Sequence, residues 1–282
     1  MALAVIIPIK DRLEISQCVA SLLSIEGVDR VVVCDGGSTE PRCVAALHSL
    51  RHLPRVDVLH LPIAGFNKSW LINQGIQYTT EQEEILLISD ADIVWNAVTI
   101  EQLITTVTTH SNTIACVQHV IESNPTAVSL RRDRYTYRMQ TTATEVIVEI
   151  VPIQLETQGF SQVGDRPGCG LICARRDTVL QLGGYKEQFQ GWGWEDQDLL
   201  IRASILGMTI QGCGTVLHLS HDDTTRNQHW GGLEPSHTRN CNIVACVRSL
   251  AHQELLGDLP VTLRPELRYF KPITVRLPMT LL

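Results

Sequence analysis

The run Gln190-Gly191-Trp192-Gly193-Trp194-Glu195-Asp196-Gln197-Asp198 places three acids and two indoles around two glycines, just ahead of the helix-forming residues 199–203. Indoles stack on the apolar faces of sugar rings, and a carboxylate beside them can take the proton of an attacking hydroxyl. Asp196 is the expected base. A helix opening at Glu195 would present free backbone N–H groups that keep both carboxylates ionised and their pKa low. Plain helix-start acids are the simpler reading, and the two roles are compatible.

Asp90-Ala91-Asp92 follows the apolar run 85–88 and Ser89, so a strand would deliver two carboxylates to its carboxyl edge. Hard cations such as manganese or magnesium bridge such carboxylates to phosphate oxygens. Asp92 is expected as the direct ligand, with Asp90 toward a ribose or a metal-bound water; an acidic turn capping a helix is the alternative. His218 ends another β-branched run and is the second expected ligand. His221, beside Asp222 and Asp223, is expected to support the metal or face phosphate. Either histidine alone also reads as a structural hydrogen-bonding residue. Asp35, before Gly36 and Gly37, can accept the imide N–H of uracil or form an Asx turn. The chain contains neither GxGxxG nor GxxxxGK, which argues against hydride transfer and P-loop hydrolysis.

Positioning these residues calls for alternating strands and helices. Strands are expected at 3–9, 28–34, 56–61, 85–88, 114–119, 168–174, 208–211 and 215–219. Helices are expected at 14–23, 43–50, 68–77, 99–108, 177–182 and 195–206. Short apolar strands separated by helices predict an α/β fold with a mostly parallel central sheet flanked by helices, and ligands outside the strands' carboxyl ends. Residues 144–153 suit an exposed hairpin or edge. Without a repeat or low-complexity linker, one continuous domain is expected over 1–223, with a nucleotide-binding half at 1–95 and an acceptor-binding half at 96–223. Residues 224–258 read as a lid loop and a terminal helix from 244 to 255, and 259–282 as an extended tail with Arg264, Arg268, Tyr269 and Phe270, suited to a partner or to its own domain.

Composition narrows the partners. A net charge of −7 gives no general attraction to nucleic acid or an anionic membrane. The apolar run at 3–7 is cut by Pro8, Lys10 and Asp11, far short of a membrane span, and no signal-like stretch precedes it. Nine scattered cysteines without CxxC pairs read as free thiols of a reducing compartment.

The ordered set Val5-Ile6-Ile7-Pro8 with Asp11-Arg12, Val31 to Ser38, Phe66-Asn67-Lys68 to Gly75, Asp90-Ala91-Asp92, and Gly183-Gly184-Tyr185 leading to Glu195-Asp196 resembles the GT-A (Rossmann-like) glycosyltransferases. The resemblance is to β-1,4-galactosyltransferases, chondroitin-type GalNAc and glucuronosyl transferases, and bacterial family-2 enzymes. It implies an inverting enzyme using a UDP-sugar and manganese or magnesium. By it, Pro8, Asp11 and Asp35 frame uridine, and Lys68, Asn73 and Asp90 serve the donor. Asp92 and His218 hold the metal. Tyr185, Trp192, Trp194 and Glu195 meet the sugars, and Asp196 is the base. The donor sugar would be Gal, GalNAc or a related hexose, and the acceptor a carbohydrate or glycolipid. A bacterial cytoplasmic enzyme of polysaccharide synthesis, peripheral to the inner membrane through its tail, fits this pattern. Departures are Gly36 where many relatives carry Asp, and Trp194 where the galactosyltransferases carry Gly, an indole expected to narrow the pocket. Retaining polypeptide GalNAc transferases have Glu-Asn at 195–196, so inversion is expected, and QxxRW is absent. The competing readings are a nucleotidyltransferase, a silent carbohydrate-binding protein and a scaffold.

Overall fold

The structure, a computed structural model, describes residues 1–124, 135–152, 165–221, 225–260, 271–278 and 281. Seven consecutive residues without side-chain charge form β1 (Leu3–Ile9), buried along its whole length. It pairs in parallel with β2 (Arg30–Asp35) and with β4 (Ile85–Ile88), while β3 (Val56–His60) runs parallel beside β2. Helices α1 (Ile15–Leu23) and α2 (Pro41–Leu50) make the crossovers at one side and α3 (Lys68–Tyr78) at the other, each strand–helix unit following from its apolar period. Helix α1 buries Ile15, Cys18, Val19 and Leu22, the face its spacing predicts. The carboxyl ends of β1, β2 and β4 therefore gather at one edge.

Beyond β4 the sheet departs from expectation. With β5 (Ile93–Val94), β6 (Thr113–Glu122), β9 (Asp165–Arg175) and β10 (Thr209–His218), the order is β3-β2-β1-β4-β9-β6-β10-β5. β9 is antiparallel to both β4 and β6, and β5 is antiparallel to β10, so the sheet is mixed rather than mostly parallel. Between β6 and β9 the chain forms two strands of a second sheet, so the strand–helix–strand crossover geometry that enforces parallel pairing does not apply. Helix α4 (Ala97–Thr109) covers the α1 face. Helices α5 (Arg176–Gln181) and α6 (Glu195–Ile205) join α3 on the other face.

The second sheet is β11-β8-β7, built from an antiparallel hairpin of β7 (Tyr135–Thr141) and β8 (Val146–Pro152) with β11 (Ile273–Arg276) parallel to β8. Of the expected 144–153 region, residues 146–152 are thus a hairpin strand, but a central and largely buried one rather than an exposed edge. Part of the expected tail is a strand as well, and Leu259 is buried in the main core. Arg264, Arg268, Tyr269 and Phe270 lie outside the described residues. Helix α7 (Pro235–Ala251) starts nine residues before the expected 244, opened by Pro235 in its first turn, where the missing N–H carries no penalty. Its polar residues, which read as loop, anchor the tryptophan loop instead. Asn242 Nδ2 donates to Gln190 O and Gly193 O, and Thr238 Oγ1 to Trp192 O.

Arg202 on α6 is fully buried and donates to Asp198 Oδ2 at 2.7 Å and to the carbonyls of Leu182 and Gly184. Removing one partner strands the other's buried charge. Arg202→Ala is expected to lower unfolding free energy by about 3–5 kcal/mol, read as a lower urea midpoint at unchanged slope.

Candidate active site

One cavity of about 290 Å³ opens at the carboxyl edge of the sheet, and its lining includes Pro8, Lys68, Asp90, Asp92, Trp192 and Asp196. Its metal-suited side is built by strand pairing. β5 returns antiparallel to β10, opposing Ile93 to His218, and Leu219 N donates to Asp92 O. Asp92 is thereby carried onto the end of β10. One ligand atom each from Asp92, His218 and His221 lie within 4.8 Å of one another. His218 Nε2 is 3.5 Å from Asp92 Oδ1 and His221 Nε2 is 3.4 Å from Asp92 Oδ2. His221, expected only in support, is an equal member of this group; its neighbours Asp222 and Asp223 lie outside the described residues.

Glu122, at the end of β6, fixes the orientation of His218. Its Oε2 meets His218 Nδ1 at 2.5 Å and accepts from Ser220 Oγ, while Oε1 accepts from Arg166 Nε. An Nδ1–H given to Glu122 turns the Nε2 lone pair toward Asp92. Burial works against ionising Glu122, yet the His218 bond and charge and the Arg166 charge hold it down at about 2. Asp92 is likewise held well below the usual carboxylate range: burial is outweighed by His218, His221 and Arg12. Burial disfavours charge on His218, but its contacts with Asp92 and Glu122 raise its pKa. Asp92 Oδ1 is buried and accepts no hydrogen bond, and a carboxylate with two imidazoles is a donor set for a divalent transition metal. The residues fit such an ion. Glu122→Gln is expected to weaken Mn2+ binding about 10–100-fold, measured by calorimetric titration, while leaving the three ligands in place.

The base side is built by a twisted turn. Trp194 has a left-handed backbone (φ +82°), between Gly193 (φ +97°) and the first residue of α6. For a non-glycine residue this conformation costs about 1–3 kcal/mol, and burial of the indole in the core formed with Phe189, Ile243 and Leu250 offsets it. Trp194 lines the cavity yet is 3% exposed, so the expected narrowing of the pocket is largely absorbed by the core. Trp192 also lines the cavity, with the Arg226 guanidinium 4.8 Å from its ring centroid.

Asp196 and Glu195 then face the cavity, where Asp196 Oδ1 and Glu195 Oε2 are buried and accept no hydrogen bond. Lys68 Nζ lies 3.1 Å from Asp196 Oδ2, 3.5 Å from Glu195 Oε1 and 3.0 Å from Asp90 Oδ1. The expectation of a low pKa for Asp196 is overturned. Burial pushes its carboxyl up to about 7, Glu195 and Asp90 add repulsion, and Lys68 only partly opposes them. Desolvation outweighs the helix terminus because the group sits inside the fold rather than at its surface.

Other expected site residues serve the frame. Asn73, fully buried, donates through Nδ2 to Tyr185 O and Glu187 Oε1 and accepts from Tyr185 N, so it clamps backbone and does not reach the cavity. Tyr185 is 1% exposed in the core and does not line the cavity, contrary to its expected sugar contact. Asp11 Oδ1 accepts from Thr39 N and Glu40 N, and Asp35 accepts from Ser38 N and meets His60 Nδ1 at 2.9 Å. Both carboxylates hold the Gly36-Gly37 turn and neither lines the cavity. Pro8 does. Two cavity-side roles went unforeseen: Arg12, which bonds Asp92 Oδ2, and Glu122, whose sequence signal was an acid at the carboxyl end of an apolar strand, as with Asp92.

Residues 4–163 match the family model described as glycosyl transferase family 2, more than half of the chain, and the chain belongs to that family. Residues 159–222 match the model described as the N-terminal domain of galactosyltransferase. No curated protein matches. Among solved structures the chain is similar to GalNAc-T7 crystallised with UDP, GalNAc and Mn2+, at 16% identity and a TM-score of 0.60 over 88% of this chain. It spans 48% of that chain, about half its length. It is also similar to S. aureus TarS 1-349, at 16% identity and TM-score 0.55, covering 93% of this chain and 68% of that one. A further TarS structure matches at 15% identity and TM-score 0.56, covering 93% and 41%. These likenesses are of fold alone; the family-2 match accords with the expected continuous α/β domain of GT-A type, while its sheet is mixed where a mostly parallel one is expected. No helix among the described residues is long and apolar enough to cross a membrane.

Proposed function

We propose that this family-2 chain is a divalent-metal-dependent, inverting glycosyltransferase that moves Gal, GalNAc or a related hexose from a UDP-sugar to a hydroxyl of a carbohydrate or glycolipid. The observation that carries the reading is one cavity lined both by Asp92, His218 and His221 and by Asp196 with its donor-free buried oxygen. UDP and Mn2+ are the ligands of the similar GalNAc-T7 structure, and two imidazoles favour manganese over magnesium, which prefers oxygen. Held by Asp92, His218 and His221, the cation would offset the charge of a departing diphosphate.

Asp196 accepts the proton of the acceptor hydroxyl as its oxygen bonds to the anomeric carbon; the bond from that carbon to diphosphate oxygen breaks in the same displacement, which inverts the centre. Glu195 Oε2 receives a second acceptor hydroxyl, and Trp192 offers a stacking wall. We assign the nucleotide side to residues 1–95, the acceptor side to 96–223, a lid and helix to 224–258 and a docking tail to 259–282. Nine free thiols support a reducing, cytoplasmic setting, with a bacterial polysaccharide or glycolipid precursor as acceptor. The test is a UDP-sugar panel with and without Mn2+, read as melting temperature and as UDP release. A joint rise with UDP-sugar and Mn2+, with UDP released to an acceptor, is expected. Sugar binding without any UDP effect, or pyrophosphate release from UTP and a sugar phosphate, would replace the reading with a lectin or a nucleotidyltransferase.

A further inference from the structure

We propose that Lys68 is a positioning residue that ties the donor-side carboxylate Asp90 to the acceptor-side pair Glu195 and Asp196 and so favours the ionised form of Asp196. This rests on the reading of Asp196 as the base. Lys68 is the first residue of α3, where the helix dipole disfavours a cation, so α3 itself gives no reason for it. The reason lies on two other elements, the turn after β4 and the start of α6, whose three carboxylates surround Nζ at 3.0–3.5 Å.

The position is rigidly set. Asn67 caps α3 by accepting from Trp70 N and donates to Glu187 O, and Asn73 further along the helix grips Tyr185 and Glu187. Helix α3 is thus bolted to residues 185–187, which lead into the tryptophan loop. On β9, a Cβ at Gly170 would stand 2.5 Å from Asp196 Oδ2 and 3.3 Å from Lys68 Nζ, so the bare backbone leaves the pair its space.

The groups facing Asp196 are Lys68 from α3, Asp90 from the turn after β4, Glu195 from its own helix, Cys169 from β9, Cys116 from β6 and Tyr185. Lys68 is the one cation among these six. Burial raises both thiols and the phenol, so those three stay neutral, and Lys68 is held well above its ordinary value by the three carboxylates despite burial. Without its charge, the buried pair Glu195 and Asp196 would face the partly exposed Asp90 with no cation among these neighbours, and the most desolvated would keep its proton.

The experiment compares Lys68→Met and Lys68→Arg with the wild type in full-length protein. Asp196 protonation is read by carboxyl ¹³C NMR of aspartate-labelled protein, assigned by the signal lost in Asp196→Asn. The pH profile of transfer is recorded alongside. Lys68→Met is expected to move the Asp196 titration upward by about one pH unit or more, and Lys68→Arg to return it to the wild-type position. An unmoved titration in Lys68→Met, or equal shifts in both variants, overturns the proposal. If Lys68→Met does not fold, Lys68→Gln, neutral but polar, is read by the same criterion. A titration that moves while the acid limb of transfer stays put upholds the tie and rejects Asp196 as the base, which keeps the two failures apart.

Discussion

Replacing Asp196 by asparagine is expected to lower kcat about 10²–10⁴-fold, the usual contribution of a positioned proton acceptor. The change preserves shape and removes only the basic oxygen, so UDP-dependent and Mn2+-dependent rises in melting temperature should survive. Because burial holds the Asp196 carboxyl up at about 7, wild-type transfer should climb with pH and reach half its plateau near that value. The asparagine variant should lose this limb. The same group leaves a mark on stability. A carboxyl whose folded pKa lies above its ordinary value stabilises the fold while protonated, and that contribution is lost as pH rises from the ordinary range near 3.8 through about 7. The melting temperature of Asp196→Asn should therefore gain on wild type across that window and hold its lead above it. Undiminished transfer by the variant would reject the assignment.

Asp92→Ala is expected to abolish the Mn2+-dependent rise in melting temperature and to reduce transfer about 10³-fold or more, since cation stabilisation of a leaving phosphate is worth several kcal/mol and each 1.36 kcal/mol is tenfold in rate. The variant removes the residue that both histidines approach and leaves the guanidinium of Arg12 with Glu14 as its remaining carboxylate partner. Binding of Mn2+ followed by electron paramagnetic resonance separates this loss from a folding defect. In the wild type, affinity should fall as the solution is acidified, because the raised pKa of His218 makes protons strong competitors for its ring. Retained Mn2+ affinity in a folded Asp92→Ala protein would remove Asp92 from the ligand set.

Both predictions concern residues that strand-end chemistry singles out before any fold is known. Asp92 stands three residues beyond Ser89, which closes a run of four apolar residues; Asp196 follows two indoles in a glycine-rich turn. The partners that give them their properties are another matter. Glu122 lies 96 residues from His218, and Lys68 lies 128 from Asp196. Asn73 and Tyr185 show the converse: inside a recognisable motif they suggest ligand contacts, whereas the Asn73 side chain holds the Tyr185 backbone inside the fold.

From the sequence alone came the strand–helix succession of the first half, the acids at the ends of β4 and at the start of α6, and the ordered motifs of a family-2 transferase, because apolar period and turn chemistry act over neighbouring residues. Folding in three dimensions decided the mixed sheet, the entry of His221 into the group with Asp92 and His218, the withdrawal of Asp11 and Asp35 from the cavity, and the elevated pKa of Asp196. Strand direction and desolvation depend on which distant segments pack together, and no local window of residues contains that information.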